Sequence, residues 1–290
     1  MSDIILDVFT LAKTKGEIGI EIEVEGRNLP SEIPGWRREH DGSLRGEETA
    51  EYVLRNPIER RSVSMMLNRI TEAYADNRSR IDDSYRTSTH VHLNVQELTV
   101  TQVYNIITLY FIFEEYLVRH CGEHREGNLF CLRLQDAEAM LPILRIAAAN
   151  GDMNVLRSDN LRYAAINVAA IPKYGSLEFR SMRGTSNMEA IKTWVDLLLH
   201  IKDAALRFDN PVEIIDSISA LGTAGLAEEV FGDMVRHLPL DEHWEQVVFH
   251  NMRKVQLLAF ARNWNEPFEF VKENTTWTTG IGQAIPVFEG

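Results

Sequence analysis

Cysteine is scarce in this chain of 290 residues, which holds only Cys121 and Cys131. Two thiols exclude a disulfide framework and leave no second pair for a zinc site. Each reads as a free buried thiol of a reducing compartment. Positive charge is short as well: the formal net charge is −13. Neutralising phosphates takes a basic surface, so this balance argues against a general nucleic-acid or anionic-membrane binder. No stretch approaches the roughly twenty apolar residues of a membrane-crossing helix. The opening residues MSDIILDVFTLAKTKG lack the basic lead of a secretory leader. The expectation is a cytoplasmic protein.

Several chemical signatures are missing too. The chain has no G-x-x-x-x-G-K-[ST] loop and no strand-associated G-x-G-x-x-G, which argues against a P-loop or Rossmann nucleotide site. It has no G-x-S-x-G elbow and no His-Glu-x-x-His helix. His120 adjoins Cys121, but adjacency in sequence does not place two groups for proton transfer, so a catalytic cysteine is disfavoured. Internal repeats and low-complexity linkers are absent.

What remains is ordinary for a soluble enzyme, with 44% hydrophobic and 25% charged residues. Alternation predicts strands over 17–26, 36–40, 51–54, 87–95, 162–169 and 176–182, with a Pro172/Gly175 turn between the last two. Four-residue apolar spacing predicts helices over 58–77, 99–120, 136–150, 187–207, 211–220, 223–235 and 241–263. Gly151 and Asn56-Pro57 act as stop signals. Strands early and helices late give an α+β fold, an antiparallel sheet backed by helices on one face. The domain expectation is a catalytic unit over 1–210, with 211–290 a helical C-terminal extension packed on it. The tail beyond Trp264 reads as a loop or extended arm.

Three strand segments each offer two polar side chains to one sheet face. In GIEIEVE, Ile20, Ile22 and Val24 alternate with Glu21, Glu23 and Glu25. The device recurs in His90-Val91-His92-Leu93-Asn94 and in Leu177-Glu178-Phe179-Arg180, while Asp41 and Glu51 flank a fourth segment. Each has a bland reading. The glutamates suit the wet face of a half-buried strand, His90 and His92 a solvent-facing edge, and Glu178 with Arg180 an exposed ion pair worth under about 1 kcal/mol. Jointly they suit a site, because like charges this close need water or a cation between them. Carboxylates plus an imidazole are ligands for Mg²⁺, with Mn²⁺ as an alternative. Arg180 would then lie where it could hold a phosphoryl group. Arg37, Arg38 and Arg183 are candidates for a substrate carboxylate, although a solvated charge run also explains the first two.

The ordered set GIEIEVE, W-x4-DGSL-x6-EYV from Trp36 to Val53, THVHLN, RYAAIN and GSLEFRSMRGT resembles the amidoligases. These form a branch of the carboxylate–amine ligase superfamily that includes glutamine synthetase and glutamate–cysteine ligase. The likeness spans residues 18 to about 200. It implies a curved antiparallel sheet, like the glutamine synthetase catalytic fold, whose concave face holds ATP and divalent ions. By motif position Glu23 and Glu51 would hold one Mg²⁺ with Asp41 nearby. Glu21, His90 and Glu178 would hold a second. Arg180 would steady the γ-phosphoryl group, and turnover would depend on Arg180, Glu178 and Glu51. His92 and Asn94 would touch phosphate or orient ligands, and Asn167 or Arg162 would contact nucleotide or substrate. Tyr163 packing and Asn167 capping a turn are the bland counterparts. Glu25 keeps its solvated reading. The implied partners are small-molecule or peptide carboxylates and amines, a modified base being the one nucleic-acid acceptor still admitted. A homo-oligomer is admitted as well. The alternatives are a metal-dependent hydrolase on the same face and a non-catalytic binding module.

Overall fold

The computed structural model describes residues 3–271, apart from residues 83, 123, 124, 126, 127, 130, 135, 138 and 159–162. Its strands are β1 (Ile18–Arg27), β2 (Trp36–Glu39), β3 (Glu48–Leu54), β4 (Arg80–Ile81), β5 (Ser88–Asn94), β6 (Ile166–Asn167) and β7 (Ser176–Arg183). They form one antiparallel sheet in the order β2-β3-β1-β5-β7-β6, with β4 paired to the end of β1. The helices are α1 (Ile5–Val8), α2 (Val63–Asn77), α3 (Val100–His120), α4 (Met140–Asn150), α5 (Ile171–Tyr174), α6 (Met188–Ala205), α7 (Pro211–Phe231) and α8 (Trp244–Ala259). The α+β class and the helical C-terminal part are therefore as the sequence pattern indicates.

Helix α3 organises the interior. Thr99 opens it with a capping box, its side chain accepting from the Gln102 amide while the Thr99 amide donates to Gln102 Oε1. Nearly every side chain from Val100 to Val118 is buried. A helix apolar all round belongs inside a protein, and α3 touches β7 on one side and α6, α7 and α8 on others. Ile18, Ile20, Ile22 and Val24 of β1 join the same apolar cluster as the buried residues of α7 and α8. One sheet face is thus sealed by helices, leaving the other for polar side chains. Among the described residues no helix is long and apolar enough to cross a membrane.

Several elements depart from the sequence pattern for local reasons. Of the strand expected over 162–169, residue 162 lies outside the described residues and the strand observed is Ile166–Asn167; the Asn167 side chain accepts from the Ala169 amide and turns the chain into a 3₁₀ segment, Val168–Ala170. The Pro172/Gly175 turn is the short helix α5, with Pro172 in its first turn and Gly175 left-handed at φ 69°. Helix α4 starts at Met140 rather than 136, which keeps Pro142 in the first turn, where it has no amide bond to break. Helix α2 starts at Val63, since Ile58 is held extended by its bridge to Ile18. Helix α8 is shorter than 241–263 at both ends. The break expected between 220 and 223 is present inside α7 as a kink at Gly222, φ 73°.

Candidate functional site

Antiparallel register brings the alternating polar side chains onto one face. Glu21 lies opposite His90 on one side and Val53 on the other, and Glu23 lies opposite Glu51, which in turn faces Glu39. His92 pairs with Glu178, and Glu178 with Asn167. Directly opposed residues share a face with their Cβ atoms about 5 Å apart, so these side chains meet. The β5–β7 register shifts between Thr89 and Val91, where His90 alone opposes Arg180 and Ser181. This is a β-bulge in β7, a device that re-aims a side chain.

His90 is the hub. Its Nδ1 lies 3.2 Å from Glu21 Oε2 and 3.5 Å from Glu178 Oε1, and its Nε2 lies 2.7 Å from Ser88 Oγ and 3.7 Å from Glu23 Oε1. Ser88 holds Glu23 by two bonds, from its amide at 2.8 Å and its hydroxyl at 2.6 Å, both to Oε2. Asn167 Nδ2 donates to Glu178 Oε2 at 2.6 Å, and Arg180 Nη1 donates to Glu178 Oε1. His92 Nδ1 meets Ser176 Oγ at 3.0 Å, and its Nε2 lies 3.4 Å from Glu21 Oε1 as an ion-pair contact without a formed hydrogen bond. Two groups result, Glu21/His90/Glu178 and Glu23/Glu51/His90. In each, one ligand atom per residue lies within 4.8 Å of the others.

The electrostatics of this face are lopsided. Burial raises the Glu51 carboxyl, and the charges of Glu21, Glu23, Asp41 and Glu39 add to it, up to about 8. Burial also opposes ionisation of Glu21, yet the imidazoles of His90 and His92 outweigh it and hold Glu21 well below the usual carboxylate range. Burial likewise works against a charged Glu178, and Arg180, followed by His90 and His92, more than compensates, so this carboxyl is lowered. For His92, burial disfavours the cation and the adjoining Glu21 and Glu178 carboxylates prevail, raising it. Burial first, and the neighbouring carboxylates second, thus favour the neutral form of Glu51. The donor set of carboxylate oxygens and one shared imidazole suits Mg²⁺ or Mn²⁺.

Not every candidate from the sequence joins the hub. Asp41 stands at the rim, with Oδ1 accepting the Ser43 amide at 2.6 Å. It belongs to neither three-residue group. Asn94 shares the face, but its amide donates to the Thr14 and Gly16 carbonyls and its Oδ1 accepts from Gln96, so its side chain is committed to the backbone. Glu25 is not solvated: it is 8% exposed and accepts the Arg45 amide. The solvent-facing reading of the histidine pair also fails, since His90 is 4% exposed. Tyr163 is partly exposed rather than packed away, and Arg162 lies outside the described residues. Arg38 donates to the Leu29, Pro30 and Thr49 carbonyls, Arg37 pairs with Glu39 at the surface, and Arg183 lies against Gly122. Asn167 fulfils both of its readings, capping a turn with Oδ1 and holding Glu178 with Nδ2.

Three cavities open beside the hub. One of 380 Å³ adjoins the Glu23 end and is lined by Asp41, Ser43, Arg86, Ser88, Tyr163 and Arg180. Two of 430 and 640 Å³ adjoin the Glu21 end and share Glu21, His92, Lys173 and Tyr174. Ser88 and Ser176 were missed by sequence reasoning although the signal was there: each stands two residues before a recognised member, His90 and Glu178, on the same strand face.

Residues 31–202 match the family model described as "Putative amidoligase enzyme". The matched span covers more than half of the chain and includes Asp41, Glu51, His90, Glu178 and Arg180, while Glu21 and Glu23 precede it. No curated protein matches the chain.

Proposed function

The chain belongs to this amidoligase family, and on that premise we propose that it is an ATP- and Mg²⁺-dependent carboxylate–amine ligase. One observation carries the reading: two carboxylate groups share His90 on one sheet face, with Arg180 beside them. Glu23 and Glu51, with Asp41 near, would hold one divalent ion, and Glu21, His90 and Glu178 a second. Ions bound there supply charge neutralisation for a phosphoryl group in transfer.

The protein's own part is positioning. Ser88 and Asn167 fix the Glu23 and Glu178 carboxylates, so neither has to reorganise during reaction. Among the described residues the buried Arg180 Nε has no hydrogen-bond partner, while Nη1 holds Glu178. In the proposed reaction a substrate carboxylate oxygen takes the γ-phosphoryl group of ATP, giving an acyl phosphate and ADP. An amine then attacks the activated carbonyl and phosphate leaves. His92, joined to Glu21 and Ser176, borders both cavities at the Glu21 end and can orient groups entering from there.

The test is incubation of purified protein with ATP, Mg²⁺ and mixed pools of acids and amines. The expected result is ADP and phosphate release that needs both an acid and an amine. Product mass should equal the two reactants less one water, and Glu178→Ala should be nearly inactive. Substrate cleavage without ATP would favour the hydrolase reading. Failure to bind or turn over ATP with every pool would sink the ligase reading.

A further inference from the structure

Arg125 touches none of the candidate site's side chains in a hydrogen bond, yet it is the least exposed Lys or Arg among the described residues. It is 1% exposed, and among the described residues no carboxylate pairs with it. A buried guanidinium without an acid must be held by other acceptors or it strongly destabilises the fold. Its acceptors are two consecutive backbone carbonyls of β7: Nε donates to Ser181 O at 2.9 Å and Nη2 to Arg180 O at 2.7 Å. In a regular strand successive carbonyls point to opposite edges, so one side chain cannot reach two in a row. Here it can, because these are the two residues of the bulge opposite His90.

The neighbouring strand explains the need. β6 pairs with Glu178 and Phe179, the Arg180 amide donates to Ala165 O, and among the described residues no further strand follows on that side. Beyond that point Arg125 satisfies the Arg180 and Ser181 carbonyls of β7. The Ser181 side chain is pinned separately by Tyr110, whose hydroxyl lies 3.0 Å from Ser181 Oγ in the helical layer. With Ser181 anchored toward α3 and both carbonyls clamped, the Arg180 side chain is left only the polar face, beside Glu178.

We propose that Arg125 is a positioning residue that fixes the β7 bulge and thereby aims Arg180 at the γ-phosphoryl position. The proposal rests on the ligase reading for its consequence, although the clamp itself does not. Only Arg offers a planar fork matched to two adjacent carbonyls; Lys offers a single point charge.

The test compares wild type with Arg125→Met and Arg125→Lys. Affinities are measured for Mg²⁺ with a non-hydrolysable ATP analogue and for Mg²⁺ with ADP, alongside amide exchange across the sheet. Arg125→Met should weaken the triphosphate analogue about tenfold, the scale of one charge-assisted hydrogen bond, and leave ADP unchanged. Arg125→Lys should fall between. Exchange should rise in β7 from Arg180 to Arg183 and stay unchanged in β1 and β3. Equal loss of both nucleotides with faster exchange everywhere would reduce Arg125 to a fold residue and overturn the proposal, as would no change at all. If wild type binds neither nucleotide, the ligase reading falls, and the clamp then stands or falls on the exchange pattern alone. Should Arg125→Met fail to fold, Arg125→Lys carries the same readouts.

Discussion

The two faces of strand β1 differ in what removes them from water. Ile20, Ile22 and Val24 are covered by helices and are no more than 1% exposed. Glu23 and Glu25, on the opposite face, are 5% and 8% exposed. They are enclosed by the Ser88 amide and hydroxyl, the Arg45 amide and the neighbouring acids and imidazoles. Apolar burial needs only shape, whereas a buried carboxylate needs partners for its lone pairs or a cation. Alternation of apolar and charged residues therefore marks two kinds of burial here rather than core against solvent. One face carries apolar burial and the other carries charge, which the proposed function assigns to a ligand; mutations on the two faces are therefore expected to separate stability from binding.

The largest effect on stability is expected on the helix-covered face. Ile22→Ala should cost about 2–5 kcal/mol, the range for deleting a buried aliphatic side chain. The folded molecules should keep their affinity for Mn²⁺. Denaturant unfolding and metal titration of the same sample check both halves, and a loss below about 1 kcal/mol would break the division between faces.

Glu23→Gln should act in reverse. Its Oε1 keeps an acceptor but loses the charge that a cation needs. Mn²⁺ affinity should fall by at least the ~10–100-fold that even outer-shell partners contribute. The melting temperature in chelator should move little. A drop in melting temperature with unchanged Mn²⁺ binding would show that this glutamate is there for the fold.

A subtler contrast lies within the polar face itself, between Glu21 and Glu51. Glu51 has a folded value of about 8 against an ordinary 4.5, so between those pH values the folded state keeps a proton that the unfolded state has lost. Stability from this group is full below about 4.5 and is lost as pH rises through about 8. Glu21 is lowered, so its contribution is present above 4.5 and is lost as pH falls. In chelator the wild type should lose stability between pH 6 and 8.5, roughly the upper part of the Glu51 window. Glu51→Gln should reduce that slope, with Glu114 and His92, both also raised, supplying the rest, and added Mg²⁺ should reduce it in the wild type by displacing the Glu51 proton. A slope unchanged in Glu51→Gln would remove Glu51 as its source.

Much of this face was legible in sequence because period two is exact within a strand. Once Glu21, His90 and Glu178 are assigned to strands, antiparallel pairing brings them together. Ser88 and Ser176 were within reach of the same rule. Arg125 was not: it sits in the stretch Cys121-Gly122-Glu123-His124-Arg125-Glu126 with no periodicity, and its acceptors are backbone carbonyls exposed by a bulge that no spacing announces. The shortness of β6 was hidden for a similar reason. Asn167 caps its own turn, a tertiary outcome on a segment whose alternation looks strand-like throughout.

Asn94 offers the smallest and most selective test, because alternation and structure disagree about it. Two residues beyond His92, it lies on the polar face, and the family likeness implies ligand contact. Its hydrogen bonds instead tie β5 to the chain before β1: Nδ2 donates to Thr14 O at 3.3 Å and Gly16 O at 2.9 Å, and Oδ1 accepts from the Gln96 amide at 2.9 Å. Asn94→Ala would leave these three backbone groups to water, at a cost of about 1–2 kcal/mol for partly buried partners. Metal and nucleotide affinities should be unchanged. His92→Ala, on the same strand and face, should weaken ligand binding and cost less stability than Asn94→Ala. Thermal melts with and without Mg²⁺ and the ATP analogue measure both variants at once. If Asn94→Ala kept its melting temperature and lost the ligand-induced shift, position on the face would outrank hydrogen-bond commitment as the guide to function. The expected outcome is the opposite, because both donors of this side chain and one lone pair of its oxygen are already engaged by the backbone.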